Sequence, residues 1–179
     1  MSCSAIARNW LTGLNWLFSI AVLLSCGTLV RGDDWAQWGG PKRDLVWRET
    51  GIVKTLPTDE LLPRVWSAPI DEGYSGPAVA DNRVYVTDWQ RQAQTERVLC
   101  LDADTGRPLW EKSSPCRYTI SYPNGPRSTP VVNSGRVYTI GGMGHLFCFK
   151  ADTGKLLWKK NFVDDYQTNL PTWGMVASP

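Results

Sequence analysis

From Leu62 onward, β-branched and aromatic residues come in short runs bounded by Gly, Pro, Asn and Asp, and no long helical period interrupts them. The runs predict strands at 64–67, 75–80, 83–87, 97–101 and 108–111. Asp81-Asn82 separates two of them, and both residue types tolerate the positive φ that a tight hairpin requires. The same order then returns at 128–132, 136–140, 146–149 and 156–158, with Ser134-Gly135 as its hairpin. Val176-Ala177-Ser178-Pro179 matches the opening of both units and predicts the start of a third.

The repeat is sharpest in its second half. Cys100-Leu101-Asp102-Ala103-Asp104-Thr105-Gly106-Arg107-Pro108-Leu109-Trp110 recurs 48 residues on as Cys148-Phe149-Lys150-Ala151-Asp152-Thr153-Gly154-Lys155-Leu156-Leu157-Trp158. Thr105-Gly106 and Thr153-Gly154 supply a tight turn, and Trp110 and Trp158, four residues after each Gly, can bury a large face between neighbouring sheets. Two four-stranded antiparallel units of similar length point to an all-β fold, a partial β-propeller with two blades, a closing strand and the beginning of a third. Closure takes about 4 to 8 blades, so the expectation is a fragment of a longer propeller, with a ring completed by other chains as the alternative. Trp66 lies on a strand with no blade of its own; in a closed ring it joins the last blade, and in an open one it is an exposed edge.

Residues 33–60 keep no strand or helical period and are expected as an irregular extension that packs Trp35, Trp38 and Trp47 on the propeller domain at 61–179. Residues 1–32 carry Arg8, an apolar run from Trp16 to Leu24 and small residues near Ser25 and Gly27, the pattern of a secretory signal. A membrane anchor is the alternative for that segment, and Leu23-Leu24-Ser25-Cys26 offers Cys26 as a site of lipidation. Export to the periplasm or outside the cell follows. Of the 19 basic residues, removal of 1–32 takes only Arg8 and Arg31, and no acid, leaving 17 basic against 17 acidic residues. A near-neutral chain argues against nucleic acid, which calls for a clustered basic excess. Membrane contact is expected only through an uncleaved signal or lipid anchor. Cys100 and Cys148 share one repeat position and are expected as small buried hydrophobes; Cys116, near Pro115, is expected as a free thiol.

The repeated stretch resembles the docking motif of the pyrroloquinoline-quinone-like β-propeller repeat family, Ala-x-Asp-Ala-x-Thr-Gly-x-x-x-Trp, with Cys100 and Cys148 at the leading Ala and Lys150 at the second copy's Asp. Asp34-Trp35-Ala36-Gln37-Trp38-Gly39-Gly40-Pro41 and Pro171-Thr172-Trp173-Gly174-Met175 are similar to phrases of its exported members. The family holds both quinone-dependent alcohol dehydrogenases and the propeller lipoproteins of outer-membrane barrel assembly. Pyrroloquinoline quinone is therefore a cofactor by resemblance only. The quinone enzymes use a vicinal disulfide and an acidic calcium-binding set; this chain has no adjacent cysteines and no matching acidic set, so no catalytic residue is assigned.

The remaining candidates divide by loop position. Asp102 to Gly106 begins like a calcium loop but lacks the downstream ligands, so it is expected as a turn. His145, the only histidine, cannot alone supply the His cluster of a zinc site, and no metal site is assigned. Gly141-Gly142-Met143-Gly144 lacks the Lys-Ser/Thr ending of a phosphate loop. In a four-stranded meander the turns after strands two and four share one end, which here carries the long loops where function concentrates. Trp89, Arg117, Tyr122, Arg127, His145 and Trp173 are the ligand-binding candidates there, for a protein or small-molecule partner. An exported, non-catalytic scaffold for binding or assembly is the expected function, with the leading part of a quinone-dependent dehydrogenase as the alternative.

Overall fold

The structure is a computed structural model that describes residues 32–56, 58 and 61–179. The expected signal segment, apart from Gly32, lies outside the described residues. Eight strands follow in order: β1 (Ala78–Ala80), β2 (Arg83–Gln90), β3 (Thr95–Asp102), β4 (Pro108–Pro115), β5 (Val131–Asn133), β6 (Arg136–Ile140), β7 (His145–Lys150) and β8 (Leu156–Asn161). They pair antiparallel into two sheets, β1-β2-β3-β4 and β5-β6-β7-β8. The architecture is an unclosed β-propeller segment of two blades.

The hairpin chemistry is carried out at both predicted turns. Asp81 and Asn82 take φ of 50° and 59°, and Ser134 and Gly135 take 49° and 71°, so each two-residue loop turns with the twist of its strands. Both blades also break register at one repeat position. Cys100 pairs with Trp110 and Leu101 with Pro108, and Cys148 pairs with Trp158 and Phe149 with Leu156. One extra residue in each outer strand, Leu109 or Leu157, makes a bulge beside the tryptophan and re-aims it.

Between the blades lies a small core of Tyr85, Cys100, Val137 and Ala151, on which Trp110 and Val132 pack. The Trp110 indole Nε1 donates to the Ala151 carbonyl at 2.9 Å, and the Tyr85 hydroxyl reaches the same oxygen at 3.3 Å. Cys100 in this layer, and Cys148 beside Tyr138 and Trp158 in the second blade, are fully buried free thiols. Burial pushes the Cys100 thiol up to about 11, which keeps it protonated and unreactive.

Several boundaries differ from the sequence reading. Residues 64–67 form no strand, since no described strand stands beside them, yet Trp66 donates its indole Nε1 to the Ala103 carbonyl at 2.9 Å. The first blade's middle strands run further than predicted, β2 to Gln90 and β3 from Thr95, with only Arg91 to Gln94 left as the turn. The cause is an ion pair that polar residues hid in the sequence: Asp88, 0% exposed, holds Arg97 across the two strands at 2.5 Å and also accepts the Asp71 backbone N–H. A short helix, α1 (Phe162–Tyr166), follows β8, capped by Asn161, whose side chain accepts from the Val163 and Asp164 amides. Val176 to Pro179 forms no strand.

The N-terminal extension crosses the inner edges of both blades. Trp35 bridges Val79 of β1, and the Ala36 carbonyl accepts the amide of Val132 in β5. Of the three indoles expected to pack, only Trp35 does so, folding over Gly40; Trp38 and Trp47 are 56% and 59% exposed.

Candidate functional site

The loops after β2, β4, β6 and β8 gather at one end and are tied to one another. The amide of Tyr74 donates to the Pro126 carbonyl at 2.8 Å, and Gly125 lies so close to the backbone of Glu72 and Gly73 that a side chain there would clash. Within the second blade, the Met175 amide donates to the Gly142 carbonyl at 2.8 Å, and Gly174, against that same carbonyl, also meets Ile120 of the loop after β4. The result is one continuous loop surface spanning both sheets.

The six candidate residues distribute unevenly over it. Arg117, Tyr122 and Trp173 are exposed, and Tyr74, which the sequence reading did not name, is exposed with them. Arg127 is half-buried: its guanidinium donates to the Gly125 and Pro123 carbonyls and lies 5.1 Å over the Tyr74 ring, which fixes the tyrosine in place. Trp89 is not on the surface at all. At 1% exposure it belongs to β2, donates its indole Nε1 to the Cys116 carbonyl at 2.9 Å and meets Tyr118 edge-on at 5.2 Å. Its place as a strand residue follows from the Asp88–Arg97 pair that prolongs the hairpin.

His145 opens β7 and turns inward, stacked on Phe147. Beneath the loop surface its ring joins Glu96 and Cys116, with one donor atom from each of the three lying within 4.8 Å of the others. Glu96 comes from β3 of the first blade and is buried. It accepts from the Tyr118 hydroxyl and, at 3.0 Å, from the Gly142 amide of the second blade. Burial holds its carboxyl above the usual carboxylate range, and burial next to that carboxyl pushes the Cys116 thiol and the Tyr118 phenol up as well. Trp89, Cys116 and Tyr118 form the apolar wall, with Ile120 and Met143 against it. His145, alone as the only histidine in the sequence, gains Glu96 and Cys116 as neighbours on folding. The usable signal was the Gly141-Gly142 pair, whose missing side chains make the room that Glu96 and Tyr118 fill.

The repeat turns occupy the other end. Asp102 accepts from both the amide and the hydroxyl of Thr105, at 2.8 and 2.7 Å, whereas in the second copy Lys150 pairs with Asp152 at 2.8 Å. Thr105 and Thr153 stay exposed, Gly106 and Gly154 are buried at φ of 70° and 64°, and Trp158 is 41% exposed.

A protein-family model described as outer membrane protein assembly factor BamB matches residues 45–120 and 117–177, both blades. The chain belongs to this β-propeller repeat family. No curated protein matches it. Among solved structures it is similar to a europium-containing methanol dehydrogenase, with 18% identity over 54% of this chain and 19% of that one and a TM-score of 0.40. It is also similar to BamB from Moraxella catarrhalis (17% identity, 48% and 22% covered, TM-score 0.34) and to a quinohemoprotein alcohol dehydrogenase from Comamonas testosteroni (24%, 50% and 13%, TM-score 0.38). The chain thus covers between about an eighth and a fifth of the length of these three structures. Membership rests on the repeat match.

Proposed function

We propose that this chain contributes two blades to an exported β-propeller that serves as a binding or assembly scaffold, with its partner held at the loop end. The observation that carries this reading is the set Tyr74, Arg117, Tyr122 and Trp173, exposed at a loop end that the Glu96–Gly142 hydrogen bond and the Gly174–Ile120 contact tie between blades. Tyr, Trp and Arg are the residue types enriched where proteins recognise one another, because each offers large contact area with little conformational entropy to lose. The family description, an outer-membrane assembly factor, and the signal-like pattern of residues 1–32 support export. In this reading Trp66 and Trp110 act as docking residues that seat one blade on the next, and the loop end stays rigid enough to bind without reordering.

Photo-crosslinking in the exporting cell tests the proposal. A photoreactive residue replacing Tyr122 or Trp173 is expected to capture one discrete protein partner, and the same residue at Lys159 on the exposed outer strand β8 is expected to capture none. Stoichiometric binding of pyrroloquinoline quinone with alcohol oxidation by the purified protein would instead establish the dehydrogenase reading.

A further inference from the structure

We propose that Glu96, Cys116 and His145 form a binding site for one zinc-class divalent ion, buried beneath the loop end at the junction of the two blades. Three observations converge on it. The donor atoms already lie within 4.8 Å of one another, although they come from β3, the loop after β4 and the start of β7. His145 Nδ1 is buried and, among the described residues, has no hydrogen-bond partner. Glu96 is more than nine-tenths buried and makes no ion pair among the described residues, its hydrogen-bond donors being the Tyr118 hydroxyl and the Gly142 amide.

A buried carboxylate without a countercharge is costly. A divalent cation held by a carboxylate, a thiolate and a neutral imidazole makes a site of net charge zero, so the ion removes that cost when it binds. The proton of the Cys116 thiol leaves to solvent as the Sγ–metal bond forms. A thiolate and an imidazole select zinc over calcium or magnesium, which prefer an all-oxygen set. Tetrahedral zinc, with bonds of about 2.0–2.3 Å, holds its donors about 3.5 Å apart, so the three side chains need to close by only about 1 Å. The fourth position falls to water. Tyr118 and Gly142, which already bond Glu96, would fix the carboxylate in the way that outer hydrogen bonds orient metal ligands.

The site also accounts for the Gly141-Gly142 pair. Cys100 and Cys148 align the two blades so that His145 stands where the first blade has Arg97, and Gly141 where it has Asp88. The first blade fills this place with an ion pair. The second clears it for the side chains of its neighbour.

Cobalt serves as the probe because it replaces zinc and reports a bound thiolate in its absorption. The full-length reduced protein is expected to take up one Co2+ per chain with a sulfur-to-cobalt charge-transfer band and a tetrahedral visible spectrum, both erased by Zn2+. Cys116→Ser should abolish the band, His145→Ala should weaken binding at least about a hundredfold, and Cys148→Ser should change neither. If a variant does not fold, X-ray absorption of the zinc-loaded wild-type chain decides: one sulfur and the rest nitrogen or oxygen is expected. Cobalt binding without a thiolate band, a band that survives Cys116→Ser, or a zinc spectrum without sulfur overturns the proposal and leaves the cluster a hydrogen-bonded core.

Discussion

Trp110 and Trp158 stand at the same place in their blades, four residues beyond the repeat glycine and beside the same bulge, and their surroundings differ. Each meets the tyrosine of its own second strand alike, Tyr85–Trp110 at 5.9 Å and Tyr138–Trp158 at 6.0 Å, both inclined 52°. What separates them is the neighbour. Trp110 lies over Gly154 of the following blade and bonds Ala151, just as Trp66 lies over Gly106 and bonds Ala103; Trp158 has no such turn against it among the described residues and remains 41% exposed. The indole of Trp110 is therefore enclosed by the next blade's turn as well as by the tyrosine of its own blade. Beside Trp158 lies instead an apolar groove of about 1030 Å³, lined by Val132, Ile140, Leu146 and Trp158.

The largest expected difference between the blades lies in their hairpins. Arg97→Met strands Asp88 in the first blade with no counterpart change in the second, and should cost about 3–5 kcal/mol in chemical unfolding, the cost of leaving a buried charge unpaired. Next come the tryptophans themselves. Trp110→Ala should destabilise by about 3 kcal/mol and Trp158→Ala by less than about 1 kcal/mol in the same assay, because only the first loses an interblade contact. Equal losses would show that the indoles serve their own blades.

The turn glycines sharpen the point. A Cβ at Gly154 would stand 2.7 Å from the Trp110 ring, whereas one at Gly135 meets nothing within 4 Å, although both residues have positive φ. Gly154→Ala should cost about 2–3 kcal/mol and Gly135→Ala about 1 kcal/mol, the difference being the blocked indole. The smallest effect separates the two turns by pH. Hydrogen bonds from Thr105 hold the Asp102 carboxyl below its usual value, so its contribution is present above pH 3.8 and is lost as pH falls through the lower folded value. Asp102→Asn should lower the melting temperature at neutral pH, and the gap should close in strong acid; Lys150→Met in the second copy should act through Asp152, whose pKa the lysine lowers in the same direction.

The blades were legible in the sequence because their signals are local: a period of 48 residues, two hairpins with positive-φ residues, and a Thr-Gly turn followed by Trp. The loop end was legible only in part. Arg117, Tyr122 and Trp173 were placed by topology, but Trp89 was misplaced because Asp88 and Arg97 look like loop residues until they are paired across a sheet. Glu96 and Cys116 could not be joined to His145 from sequence, since their meeting depends on one blade's side chains entering the space left by the other's glycines. The strand expected at 64–67 is absent for a related reason: a strand needs a partner, and Trp66 has only the turn on which it rests.

Whether the following blade's turn secures a tryptophan is read from exchange of its indole N–H proton. In a tryptophan-labelled chain, slow hydrogen–deuterium exchange is expected at Nε1 of Trp66 and Trp110, each bonded to a turn carbonyl at 2.9 Å, and fast exchange at Trp158. Equal protection of Trp110 and Trp158 would contradict this expectation.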